Sequence, residues 1–121
     1  MQSNKDNLIV TKTFEFSVQI MQYTEILLDK KKFPIANQLF RSGTSIGANV
    51  KEAQKAESRL DFIHKMKIAA KEAEETEYWL ALCKTNPNYP NPEKLLTDVE
   101  SIHKILSKII SSAKSKKQSA H

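Results

Sequence analysis

Leu39-Phe-Arg-Ser-Gly-Thr-Ser-Ile-Gly-Ala-Asn-Val-Lys-Glu-Ala53 holds both glycines of a 121-residue chain, Gly43 and Gly47. They stand four residues apart in a segment whose apolar spacing is helical. Each glycine costs such a helix roughly 1 kcal/mol relative to alanine. Two of them imply that another backbone approaches closely, or that function requires the space. The segment also sets Arg41, Ser42, Asn49 and Glu52 among apolar positions, unlike an ordinary core helix.

Outward from this stretch the sequence predicts four helices. The first spans about 9–31, where Phe16, Ile20, Tyr23 and Leu27 recur at spacings of four and three, with Val18, Met21 and Leu28 widening the stripe. Lys30-Lys31-Lys32 falls in its last turn, where positive charge complements the helix dipole. Phe33-Pro34 opens the second helix, 35–55, with proline suited to the first turn. Its seam reads Ile35, Leu39, Ser42, Ile46, Asn49, Ala53. Ser58-Arg-Leu-Asp61 is a capping-box-like start for the third, 58–85, with seam Phe62, Met66, Ala69, Ala73, Thr76, Leu80, Cys83. Asn86-Pro-Asn-Tyr-Pro90 is a loop, and Asn91-Pro92-Glu93 begins the fourth helix, 92–111, whose heptad is Leu95, Val99, Ile102, Leu106, Ile109. Residues 112–121 read as a disordered Ser/Lys/Gln tail.

Short connections favour antiparallel neighbours, so the expectation is an all-α, up-down-up-down four-helix bundle in one domain. Two glycines and four prolines argue against an all-β design. No apolar run approaches the roughly 20 residues of a membrane span, and Met1-Gln-Ser-Asn-Lys-Asp-Asn7 lacks the apolar core and small-residue cleavage site expected of a signal peptide. One cysteine, Cys83, excludes an internal disulfide and suits the cytoplasm.

Placing residues at levels along an antiparallel bundle puts Gly47 opposite Ile68 and Gly43 opposite Lys71, where the third helix carries Ala69, Ala70 and Ala73. Small residues on both helices would let their backbones approach, and clearing space for a ligand or subunit is the alternative. Asn49 on the seam reads as a register-fixing polar residue or as a partner contact. The Ser42 hydroxyl is expected to bond back to its own helix. Arg41, Ser45, Ala48 and Glu52 form a second stripe, suited to a subunit interface or to plain solvation.

The net charge of +5 is unevenly spread. Lys5, Lys12, Lys51, Lys55, Arg59, Lys65, Lys67, Lys104, Lys108, Lys114, Lys116 and Lys117 gather at one end with six acids, for a net of +6. The other end carries seven basic and eight acidic residues, including Glu72, Glu74, Glu75 and Glu77. Such an end attracts phosphate backbones through lysines that contact charge rather than read bases. Lys51, Lys55, Arg59, Lys65, Lys67, Lys108, Lys114, Lys116 and Lys117 are the candidate contacts. A solvated surface with a lysine tail is the plainer alternative.

Catalytic chemistry finds no support. Glu100-Ser-Ile-His103 resembles half of a two-metal bundle motif, but its near partner Asp61-Phe-Ile-His64 lies about 15 Å away along the axis. Cys83 has no histidine in sequence reach, and Ser42 and Ser45 lack one too. No metal, cofactor, small-molecule substrate or enzymatic activity is expected.

With those residues in view, the chain resembles the bacterial four-helix bundle family also called the 23S ribosomal RNA intervening-sequence proteins. The resemblance covers most of the chain. Gln38-Leu-Phe-Arg41, Ser45-Ile-Gly-Ala-Asn49, Glu52-Ala53 and the Asp61-Phe-Ile…Ile68-Ala-Ala…Glu72-Ala…Glu75 run carry it. Where the family commonly has a glycine after the Asn-x-x-Glu turn, this chain has Ala53-Gln54. The resemblance implies a ring-like homo-oligomer, a pentamer, with RNA as a partner of some members. It marks Arg41, Ser45, Asn49 and Glu52 as signature positions, at an oligomer interface or in a structural role.

Overall fold

Three lysines turn the chain between its first two helices. In the computed structural model, which describes residues 4–119 and the side chains of residues 8–115, α1 runs Asn4–Asp29. Lys31 adopts a left-handed backbone at φ 64°. The Lys32 N–H bonds to the Leu27 carbonyl at 2.8 Å and the Lys31 N–H to Leu28 at 2.9 Å. That pair closes a Schellman turn, with lysine at the position glycine prefers. The lysines therefore form the turn itself and do not occupy the last helical turn.

α2 spans Phe33–Ala53, with Pro34 in its first turn. α3 spans Arg59–Lys84, capped by Ser58, whose Oγ accepts from the Asp61 N–H at 3.0 Å. Asp61 reaches back to the Glu57 N–H at 3.3 Å, one residue beyond the usual box. Asn91 accepts from the Glu93 N–H at 3.0 Å where α4 begins, and α4 continues from Glu93 to Ser119. The expected tail is therefore helical as far as Ser119, and residues 120 and 121 lie outside the described ones.

Each helix packs on its sequence neighbour and α4 closes on α1, giving an all-α, up-down-up-down bundle. The core seams are Ile9, Phe16, Ile20, Tyr23 and Leu27 on α1; Ala36, Leu39, Ile46, Val50 and Ala53 on α2; Met66, Ala69, Ala73, Leu80 and Cys83 on α3; and Leu95, Val99, Ile102, Leu106 and Ile109 on α4. The α4 heptad is buried at all five expected positions. On α2, Ile35 gives way to Ala36 and Asn49 to Val50, one position round the helix. On α3, Phe62 only packs against the core from a half-buried position, while Ile63 beside it is buried.

Both glycines face α1, not the alanines of α3. A Cβ on Gly43 would lie 2.8–3.0 Å from three Ile20 side-chain carbons, and one on Gly47 would lie 3.1 Å from the Thr13 carbonyl oxygen. Thr13 and Ser17 return their hydroxyls to α1 carbonyls, at 2.7 Å to Ile9 and 3.0 Å to Thr13. The hydroxyl residues Thr13 and Ser17 thus meet Gly47 and the branched Ile20 meets Gly43, and the two helices approach closely.

Polar atoms inside the bundle are satisfied. Ser42 does not bond back along α2; its Oγ lies 2.9 Å from Thr76 Oγ1, which also donates to the Glu72 carbonyl at 2.7 Å. Among the described residues, no buried side-chain nitrogen or oxygen lacks a partner. The Tyr23 hydroxyl donates to the Pro90 carbonyl at 2.6 Å, tying α1 to the α3–α4 loop. Cys83 contacts the same hydroxyl, and burial pushes both the phenol and the thiol above their ordinary pKa values.

Candidate functional site

The signature positions line one edge of α2 and look onto α3. Arg41 Nη1 lies 3.3 Å from Glu72 Oε1, and Nη2 contacts Glu75 Oε2. Gln38 Oε1 accepts from the same guanidinium at 3.1 Å. Trp79 Nε1 donates to Glu75 Oε2 at 3.0 Å, so Glu72, Glu75 and Trp79 form one stripe against Arg41. Ser45 Oγ donates to the Arg41 carbonyl at 2.6 Å, and Asn49 Nδ2 donates to the Ser45 carbonyl at 2.9 Å. Asn49 is half-buried beside the core and bonds its own helix, which leaves no seam role for it in fixing register.

Further along, Lys65 sits 3.7 Å from Glu52 and 3.9 Å from Asp61. The α2–α3 edge therefore alternates charge, with Arg41 over Glu72 and Glu75 at one level and Glu52 by Lys65 at another. The Arg41 side chain stays 49% exposed, so these pairs sit in high dielectric. Sequence reading gave the acids as a cluster and missed their joint partner. The 72, 75, 79 spacing of three and four, which places them on one α3 face, was the available signal.

At the end where α2 finishes and α3 starts, the basic residues look outward. Lys51, Lys55, Arg59, Lys67, Lys108 and Lys114 are all exposed. Among the described residues none of the six makes an ion pair, whereas Lys65 is neutralised as above. Lys67 on α3 lies beside Lys114 on α4; that contact, by hydrogen bond and then by like charge, pulls the Lys114 amine below its ordinary pKa. Lys116 and Lys117 continue α4, and their side chains lie outside the described ones. Towards the other end Lys84 pairs with Glu93 at 2.9 Å and Lys94 with Asp98 at 2.9 Å, while Lys30, Lys31, Lys32 and Lys71 make no ion pair among the described residues.

His103 lies 3.5 Å from Glu74 across α3 and α4. Among the described residues, no group of three or more His, Cys, Asp or Glu side chains is placed to share a metal ion. No described helix is long and apolar enough to cross a membrane.

A family model described as "23S rRNA-intervening sequence protein" matches residues 5–111, the whole bundle but the end of α4. The chain belongs to that family. A member of known structure supports the same fold: a protein of unknown function from the S23 ribosomal protein family of Bacteroides thetaiotaomicron, solved at 1.70 Å. It is 44% identical to this chain, with a TM-score of 0.83 over 88% of this chain and 98% of that one. Among curated proteins no match is found. The Arg41 to Glu52 edge thus lies within the part of the chain that the family model spans.

Proposed function

We propose that this family member is a non-enzymatic homo-oligomeric bundle that binds RNA through its basic end. One observation carries the reading: six exposed bases gather at that end, and none of the six has an acidic partner among the described residues. Unpaired lysines that carry their charge into solvent suit phosphate contact rather than base reading. The crowding of Lys67 and Lys114, which lowers one amine's pKa, is relieved when a phosphate sits between them.

The test is RNA affinity across a salt series. Affinity that falls steeply with salt, and a Lys67→Glu/Lys114→Glu variant whose log–log salt slope is shallower by roughly 1–2, support the reading. A flat slope, or no binding at low salt, overturns it.

A further inference from the structure

α1 carries two heptads, and only one is used. The inner one is the core seam. The outer one reads Thr11, Phe14, Val18, Met21, Glu25 and Leu28, at strict spacings of three and four. Phe14 is 68% exposed, Met21 46%, Leu28 42% and Val18 39%. Sequence reading assigned Val18, Met21 and Leu28 to the core stripe, but the structure turns them to solvent. On α2, Phe40 is 48% exposed, and it joins Phe14, Met21, Thr44, Ala48 and Lys51 around a groove of about 550 Å³ with Gly47 in its floor. Phe14 and Met21 belong to both the outer seam and this groove, and apolar side chains at heptad spacing are a surface on which another helix packs.

We infer that a second copy of this chain covers the outer α1 seam and the α1–α2 groove. The inference rests on the oligomeric part of the proposed function and names its surface. Scale supports it first. The five side chains Phe14, Val18, Met21, Leu28 and Phe40 present on the order of 500 Å² of apolar surface, towards the upper end of what monomers leave bare. With the polar rim this approaches the roughly 800 Å² per partner of a standard interface.

Charge supports it next. Two chains that each carry +5 repel, so copies must meet on a face without excess positive charge. Around this seam the charges are Lys51 at the groove and Glu25 on α1, which balance. The other faces are occupied differently. The α2–α3 edge is filled by Arg41, Glu72 and Glu75, and the α1–α4 groove is lined by Lys12, Glu15, Gln19, Lys94 and Asp98. On α3 the exposed row His64, Lys67, Lys71 and Glu74 is charged or polar and turns apolar only at Tyr78 and Leu82, a shorter stretch than the α1 seam.

Solution mass by light scattering, on the full chain at micromolar concentration, tests the assignment. Wild-type protein is expected at a multiple of 13.8 kDa, and Phe14→Glu/Met21→Glu at 13.8 kDa with unchanged helical circular dichroism. Phe40→Glu attacks the same groove from α2 and gives a second reading if the first variant loses helicity. Lys67→Glu/Lys114→Glu is expected to keep the wild-type mass. A wild-type mass of 13.8 kDa overturns the oligomer itself. An oligomeric wild type whose mass survives both groove variants overturns only this surface. RNA affinity is read separately, so its failure leaves the mass result standing.

Discussion

A methyl group on Gly43 would penetrate Ile20, with its carbon 2.8 Å from Ile20 Cγ1 and 2.9 Å from Cγ2. Ile20 is fully buried and β-branched, so it has no free rotamer to withdraw into. Gly43→Ala gains about 1 kcal/mol of helix propensity but overpacks the core by roughly 1–3 kcal/mol. The expected result in urea melts is a net loss that Ile20→Ala partly relieves, a positive coupling in the double-mutant cycle. Gly47→Ala, meeting Thr13 oxygen at 3.1 Å, is expected within about 1 kcal/mol of wild type because propensity offsets a milder contact.

Lys31 holds a left-handed backbone in a Schellman turn at the cost that a Cβ imposes there. Lys31→Gly removes that penalty while adding freedom to the unfolded chain. Thermal unfolding should show a gain of roughly 0.5–1 kcal/mol. Lys31→Val, β-branched at positive φ, should lose at least as much.

Arg41 bridges α2 to Glu72 and Glu75 from a half-exposed position, which caps its worth. Arg41→Ala should cost no more than about 1 kcal/mol, and its coupling to Glu75→Gln should fade in high salt. Trp79 donates to the same carboxylate and is the chain's single tryptophan, so its emission should report the loss of Arg41.

Alkaline pH should loosen the Tyr23–Cys83 contact. Burial raises both groups above their ordinary values of 10.0 and 9.0. A raised acid stays protonated in the fold after the unfolded chain has released its proton. The associated stability is therefore complete below about pH 9 and declines as pH climbs past it. Cys83→Ala and Tyr23→Phe should each flatten that decline relative to wild type in melts from pH 7 to 10.5. Tyr23→Phe should also lose roughly 1 kcal/mol at pH 7, since the Pro90 carbonyl loses its donor.

The bundle was legible because periodicity and punctuation agree. The α4 heptad, the Ser58 cap and the Asn91-Pro92 start could each be read locally. What stayed hidden depends on how helices are rotated against one another. Asn49 and Val50 differ by one position, about 100° round α2, and spacing alone admits either at the core. The glycines signalled close approach, yet both α1 and α3 offered small residues to receive them. The Arg41 contact needed the α2–α3 register, which no single helix encodes. The outer α1 heptad was written in the sequence as plainly as the inner one. It was absorbed into the core stripe because exposure is a property of the assembled bundle.

The closed ring of helices also sets an order of events. Three of its four interfaces join consecutive helices, and only α1–α4 links segments far apart in the chain. Loop-closure entropy falls almost entirely on that last contact, so it should form after the other three are in place. Side-chain truncations across α1–α2, at Ile20 or Leu39, would then slow folding. Truncations at the α1–α4 joint, such as Ile102→Val, would mainly hasten unfolding. A bundle built this way comes apart along one long seam, and the strength of that seam governs the lifetime of the folded chain.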